Sequence, residues 1–559
     1  MALRLPAWFA PVVFLLFTAA MPAAAADLII HGGPIYTGRD AKPMVEAVAV
    51  KDGRIVFAGD QEEAMTHRQA GTEVIDLAGA AMYPGFTDAH AHLLGIGLRE
   101  MTLNLEAVGS IAELKARVAQ AVAEAGPGET VFGRGWIETH WPEERFPTRE
   151  DLDPVSPDTP VFLVRADGHA AVVNSAGLAA AGITAEIQAP FGGEILRGAG
   201  GEPTGMLIDD AMDLASELQP DEDSVDRREA YARANAVYTG RGWTGLHNKS
   251  VAVKDVALLE RLSETGVLAL RIYNAIDRAD SEAVFAEGRR ASENERVATR
   301  AIKLYMDGAL GSRGALLLAP YADAEGAGLL RMKREEAMPL LERALREGIQ
   351  IATHAIGDAA NRLVLDWYAE AFAAVPPKDR AVAAPRWRIE HAQILDPADI
   401  PRFAELDVIA SMQPSHAIGD LHFAPDRLGL DRLAGAYAWN SLIEAGALVV
   451  AGSDAPVEKG DPLEEFYAAV ARRDLSGFSG PGWHPEQAVD RPTALKMFTV
   501  WPAYAAFAED ELGTIEAGKR ADFSAFSADI MRVPEAEIPK AQAVLTVIGG
   551  KIAYRGESR

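Results

Sequence analysis

Tyr83-Pro84-Gly85-Phe86-Thr87-Asp88-Ala89-His90-Ala91-His92 sets two histidines one residue apart at the end of a short apolar run. In a strand, residues i and i+2 project to the same face, so His90 and His92 point together into whatever that strand encloses. Two imidazoles on one face can share a divalent metal. A pair of surface or core-edge histidines has the same pattern, and the chain holds 12 histidines. The meaning of the pair therefore rests on whether further ligands stand downstream in the chain.

Beyond this stretch, apolar strand-like runs alternate with helical ones, the pattern of a parallel sheet covered by helices. Strands are expected at 244–248, 268–275, 301–307, 349–354, 387–391, 408–414 and 447–454, with helices such as 334–347 and 361–372 between them. With the run ending at His92 they make eight, which predicts an α/β fold, a (β/α)8 TIM-type barrel spanning 83–495. The gap between the first two strands is too long for one crossover. Residues from about 105 to 235 are therefore read as an insertion with its own hairpin, including Val161-Phe162-Leu163-Val164-Arg165-Ala166-Asp167-Gly168-His169, and such insertions commonly roof an active site.

The two ends of the chain resemble each other in style. Asp27-Leu28-Ile29-Ile30, Ala47-Val48-Ala49-Val50 and Ile55-Val56-Phe57-Ala58-Gly59 read as short strands, as do Ala521 to Phe526 and the pair joined at Gly549-Gly550. A small β-sandwich domain built from 27–82 and 496–559 is the expectation. Ahead of it, Arg4, the apolar stretch from Phe9 to Phe17 and Ala23-Ala24-Ala25-Ala26 read as a cleaved signal peptide over 1–26, with an uncleaved anchor as the competing reading. The expected location is periplasmic or secreted, with no stable membrane association after cleavage. The chain has no cysteine, so any metal must be held by nitrogen and oxygen. A net charge of -27 argues against nucleic acid and is compatible with cationic or neutral substrates.

In a barrel of this kind function gathers at the carboxyl ends of the strands. Standing there are His90 and His92 on the first strand, Lys303 on the fourth, His354 on the fifth, His391 on the sixth and Asp454 on the eighth. This ordered set resembles the amidohydrolase superfamily. Lys303-Leu304-Tyr305-Met306-Asp307-Gly308-Ala309-Leu310-Gly311-Ser312-Arg313, His354-Ala355-Ile356-Gly357-Asp358, Ile389-Glu390-His391-Ala392-Gln393 and Gly452-Ser453-Asp454-Ala455-Pro456 are similar to its amidohydrolase-3 branch, whose members include N-substituted formamide deformylases. Gly513-Thr514-Ile515-Glu516-Ala517-Gly518-Lys519-Arg520-Ala521-Asp522 is similar to that branch's return into the terminal β domain.

The resemblance implies two divalent metal ions, zinc-like. His90, His92 and Asp454 would hold the more buried one and His354 and His391 the other, with Lys303 bridging them as a carbamate formed from carbon dioxide. The competing reading of Lys303 is an ion pair with Asp307. A shared hydroxide would attack the substrate carbonyl, with Asp454 as the proton shuttle. His416 is the candidate to bond the substrate carbonyl or oxyanion, or else a loop histidine. Trp136 and His169 resemble pocket-lining positions, although Trp136 fits the core of the insertion equally well. Arg313 is expected either to meet a substrate carboxylate or to orient its loop. The implied activity is hydrolysis of a non-peptide carbon–nitrogen bond in an amide or an N-acyl or N-formyl amine. Cyclic imides, esters or dipeptides are the chemical rivals, and an inactive periplasmic binding protein is the rival of another class. The expected partner is a small-molecule substrate, and a homodimer is left open.

Overall fold

The computed structural model describes residues 25–556, apart from 107, 127, 220–225 and 481. All but the last two residues of the expected signal peptide lie outside the described residues. Among the described residues no helix is long and apolar enough to cross a membrane.

The centre is a barrel of eight strands in chain order, β1 (Phe86–Ala91), β2 (Trp243–Val251), β3 (Arg271–Asp277), β4 (Val297–Tyr305), β5 (Gln350–Ala355), β6 (Arg388–His391), β7 (Ile409–Met412) and β8 (Val449–Ala451). Each pairs in parallel with the next, from β1 against β2 round to β7 against β8. The last seam is closed by the segment after β8, which bonds to β1 and its end. Ser453 N donates to Asp88 Oδ1 at 2.9 Å, Asp454 N to His90 O at 2.6 Å and His92 N to Ala455 O at 2.8 Å. Closing the barrel therefore brings Asp454 beside His90. Gly452 makes this approach possible, since a Cβ there would lie 2.4 Å from His90 N.

Helices cover the barrel, among them Arg334–Glu347 and Asp358–Ala374. Their apolar sides bury Leu341, Leu345, Val364, Leu365 and Tyr368; a fully buried aliphatic side chain of this kind contributes roughly 1.5 to 3 kcal/mol.

Strands from both ends of the chain share one eight-stranded sheet. Ala81–Pro84, just ahead of β1, pairs antiparallel with Phe523–Phe526, with Met82 opposite Ala525. Leu28, Ile30, Val48, Met82, Phe523 and Val547 form its core. The hairpin of Ala543–Ile548 and Lys551–Arg555 turns at Gly549 and Gly550, whose φ values of 57° and 72° suit the tight turn that glycines make without strain.

Between β1 and β2 lies a further six-stranded sheet, running from Leu103–Asn104 to Pro203–Asp209 with Gly193–Arg197 at its far edge. Its strand Val161–Arg165 is buried on both faces. Val161 and Leu163 pack with Trp136 and Trp141, while Phe162 and Val164 pack with Val173 and Leu207. This unit reaches over the carboxyl ends of the barrel strands and closes a cavity there.

Candidate metal centre and active site

Six residues at the carboxyl ends of the barrel strands converge, and each arrives for a local reason. His90 is the penultimate residue of β1, and His92 caps the start of the helix Leu93–Arg99. Their Nε2 atoms lie 3.4 Å and 3.1 Å from Asp454 Oδ1. Asp454 is held at φ 59° and His391 at φ 75°, backbone states that non-glycine residues keep only when their surroundings enforce them. At His391 the consequence is direct. Successive strand residues normally face opposite ways, yet Glu390 and His391 both turn into the barrel.

The histidines are oriented from behind. His90 Nδ1 meets Glu390 Oε2 at 2.6 Å, which leaves Nε2 for the Asp454 side, and His391 Nδ1 meets Gln413 Oε1 at 2.8 Å, which leaves its own Nε2. Such carboxylate and amide partners fix tautomer and ring angle in metal-binding histidines. Glu390 is itself clamped by Lys249 Nζ at 3.0 Å and Arg388 Nε at 2.8 Å, and all three are buried. Burial pushes Glu390 up, but Arg388, Lys249 and His90 outweigh it and hold the carboxyl well below the usual range. Burial likewise opposes the charge of Asp454, and His90, His92 and His391 overcome it.

His90, His391 and Asp454 each place a ligand atom within 4.8 Å of the others, and Asp454 Oδ1 is buried with no hydrogen-bond partner. Burial keeps the imidazoles neutral, with His90 and His354 well below the usual value and His391 lowered to about 3. Neutral imidazole nitrogens around an orphaned carboxylate oxygen fit a divalent metal such as zinc. His354 stands outside that group of three. Its ring is 4.5 Å from that of His391, and its Nε2 faces Asp307 Oδ1 and Gly308 O, each at 3.5 Å.

Lys303 is buried on β4 with Nζ 3.3 Å from His90 Nε2. Asp307 does not serve as its counterion. That carboxylate is taken up by the N–H groups of Leu316, Ile356 and Gly357, at 2.8, 3.0 and 2.8 Å, and so locks the loop after β4 to the end of β5.

Over this cluster lies a cavity of about 340 Å³, walled by barrel loops and by the insertion. His354, His391 and Asp454 form its floor, and His169 and His416 enter it from the sides. His169 sits in the turn between Val161–Arg165 and Ala170–Val173. Its Nδ1 bonds Asp209 Oδ1 at 2.6 Å and its ring stands 5.0 Å from His354. His416, on the helix Pro414–Asp420, brings Nε2 to 3.9 Å from Asp454 Oδ2.

Two expected substrate contacts need correction. Trp136 is fully buried in the insertion core, where Nε1 donates to Leu163 O at 2.9 Å; the neighbouring Gly135 and Ile137 line the cavity instead. Arg313 points away to Asp323, with Nη2 2.8 Å from Oδ2, and orients its loop. Sequence reasoning does not single out Glu390, Lys249, Gln413 or Asp209. Glu390 lies inside the segment Ile389-Glu390-His391, but strand alternation assigns it to the face opposite His391. Only the positive φ at His391 reverses that assignment.

Residues 73–554 match the sequence profile of the amidohydrolase family, Amidohydro_3. The chain is 35% identical to YtcJ of Bacillus subtilis (strain 168), over 94% of this chain and 99% of that protein. It is 30% identical to an N-substituted formamide deformylase of Arthrobacter pascens, over 94% of this chain and 98% of that protein. Among solved structures, an uncharacterised metal-dependent hydrolase of Pyrococcus horikoshii OT3 superposes with a TM-score of 0.72 at 28% identity, over 91% of this chain and 99% of that one. A family match over most of the length and a metal-fitting cluster at the mouth of a matching barrel agree: the chain belongs to the amidohydrolase family of metal-dependent hydrolases.

Proposed function

We propose that this protein hydrolyses a non-peptide carbon–nitrogen bond in an amide or an N-acyl or N-formyl amine, at a centre held by His90, His92, Lys303, His354, His391 and Asp454. The observation that carries the reading is Asp454. Its Oδ1 is orphaned between His90 and His92, while its Oδ2 faces His416 and the cavity. The deformylase of Arthrobacter pascens supports the choice of bond.

Divalent metal, when bound, supplies Lewis acidity toward a carbonyl oxygen and acidifies water. The rest is done by the chain. Asp454 holds the proton released as water attacks and returns it to the departing nitrogen, which needs protonation to leave as a neutral amine. His416 meets the carbonyl oxygen from the side of the cavity. The insertion keeps bulk water from the reacting bond and, through His169 and Asp209, adds a fixed imidazole beside His354.

Lys303 supports a two-ion centre. A buried ammonium beside an imidazole nitrogen and, among the described residues, in no ion pair is costly. Reaction of the neutral amine with carbon dioxide, with release of a proton, would remove the cation and give Lys303 a carboxylate able to hold metal. Intact mass measured under gentle conditions should show one carbon dioxide per chain, lost on acidification. Lys303→Ala should then bind less metal and regain activity with added short carboxylates; an unchanged metal-to-protein ratio would reject the bridge.

The deciding test is a screen of zinc-loaded protein against N-formyl amines, N-acyl amines, dipeptides, cyclic imides and esters, with released amine quantified. Turnover of the formyl or acyl amines is the expected result. Turnover confined to imides or esters, or none at all, overturns the proposed bond. Residues 1–26 belong to the proposal as a cleaved export signal, which N-terminal sequencing of secreted or periplasmic protein should reveal as a chain starting at Asp27.

A further inference from the structure

The cavity wall on the far side of His416 carries carboxylates that the hydrolytic chemistry does not use. Glu458 follows Asp454 on the loop after β8, and its Oε1 lies 3.8 Å from His416 Nε2. Asp420 closes the helix Pro414–Asp420 and lines the same wall, with Oδ2 accepting from Gln393 Nε2 at 2.6 Å and from the hydroxyl of Tyr437.

Neither acid is neutralised by the chain. Among the described residues, no lysine or arginine forms an ion pair with Glu458 or Asp420. The basic groups that line the cavity are committed elsewhere. Arg165 is spent on Glu138, at 2.8 Å, and on Asp167, while Lys459 is turned outward to Glu464. Glu106, a third acid of the wall, is paired with Arg99 at 3.1 Å. Burial and then the charges of Asp420 and Asp454 push Glu458 up to about 8, and burial pushes Asp420 up to about 7. The two acids share one wall, since a Cβ on Gly419, next to Asp420, would lie 3.9 Å from Glu458 Oε1, and that wall opposes their ionisation.

A second observation marks where a ligand enters. His416 is only 8% exposed, lines the cavity, and its Nε2 has no hydrogen-bond partner. The carboxylates on either side, at 3.9 Å and 3.8 Å, are too distant to bond it. Buried polar atoms in native proteins are nearly always satisfied, so this nitrogen awaits a polar atom of the bound molecule. That atom would lie between the metal side and Glu458.

We infer that Glu458, with Asp420 beside it, is the subsite for a cationic group of the substrate, so that the compound hydrolysed carries an ammonium or guanidinium a few bonds from its scissile carbonyl. The inference rests on the proposed hydrolysis and adds the substrate class to it. A cation at Glu458, the half-buried acid beside His416, supplies the counter-charge that its ionisation in this wall lacks. The net charge of -27 adds long-range attraction for the same ligands.

The test uses zinc-loaded full-length mature protein and three N-formyl amines on one butyl chain, ending in ammonium, hydroxyl or carboxylate. Calorimetry with 1,4-diaminobutane and butane-1,4-diol runs beside it. The ammonium compound should have a kcat/KM about tenfold above the hydroxyl compound, mostly through KM, and the diamine should bind about tenfold more tightly than the diol. Glu458→Gln should bring both ratios close to one, and Glu458→Lys should favour the carboxylate compound. Asp420→Asn is the second variant, expected to reduce both ratios, with circular dichroism checking the fold of each. Equal binding of diamine and diol by the wild type, or a preference that survives Glu458→Gln, overturns the subsite. Absence of turnover in all three compounds, with the binding preference intact, removes N-formyl amines from the proposed substrates and leaves the subsite supported.

Discussion

At the scale of single residues, the centre depends on Asp454, which faces the cavity, and on groups such as Glu390 that act from behind it. Asp454 is the group whose loss should stop chemistry. Asp454→Asn keeps the shape but cannot hold a proton, so turnover should fall by about a thousandfold with little change in the melting curve; a near-normal rate would remove Asp454 from the mechanism. Glu390 is a different case, because it acts through His90. Glu390→Gln weakens the bond that aims His90 and leaves Lys249 and Arg388 facing a neutral amide. Metal affinity should drop by about 10- to 100-fold, and stability by about 3 to 5 kcal/mol, as when a buried ion pair loses one partner. Equilibrium dialysis and denaturant titration read the two effects separately. The residue types of the candidate ligands were legible in the sequence because a histidine or aspartate at a strand end is a local fact. Glu390 was not, since alternation counted from His391 puts it on the outer face, and the positive φ that turns His391 inward beside it is not written in the local sequence.

At the scale of elements, the barrel seam and the insertion carry different loads. The segment after β8 approaches β1 so closely that a methyl at Gly452 would collide with His90 N and with Asp88 Oδ1, at 2.4 and 2.5 Å. Gly452→Ala should cost about 1 to 3 kcal/mol, in line with overpacked cores, and should lower bound zinc as Asp454 shifts from His90. Normal zinc content in this variant would separate seam from site. Within the insertion and the loop after β4, Trp136 and Arg313 differ sharply. Trp136→Ala empties a fully buried position and should cost about 3 to 5 kcal/mol, whereas Arg313→Ala removes a partly exposed pair with Asp323 worth about 0 to 1 kcal/mol. Thermal melts of the two proteins check the contrast. The strands of the barrel were legible from their apolar runs, which parallel strands buried on both faces require. The orientation of Trp136 was not, because a large aromatic suits a core and a pocket wall equally.

At the scale of the whole molecule, the mixed β sheet and the barrel are joined by specific contacts. Arg271 of β3 pairs with Asp522 ahead of Phe523–Phe526, and Phe86 of β1 packs edge-on against Phe526 at 5.4 Å. The metal should act as a further tie, since its expected ligands come from five of the eight strand ends. Removing it with a chelator should lower the melting temperature, and zinc should restore it, with a stabilisation of about 2.7 kcal/mol at a hundredfold excess over Kd. A melting curve indifferent to chelator and zinc would contradict a resident metal. By itself the sequence determined the barrel, its long insertion and the order of nitrogen and oxygen donors, because strand period and side-chain chemistry are written locally. Only the tertiary structure decided that Glu390 stands behind His90, that Asp307 holds a loop instead of Lys303, and that Trp136 is core while Glu458 and Asp420 face the cavity. Those outcomes turn on a backbone angle and on contacts between residues far apart in the chain, and neither is encoded in any single stretch of it.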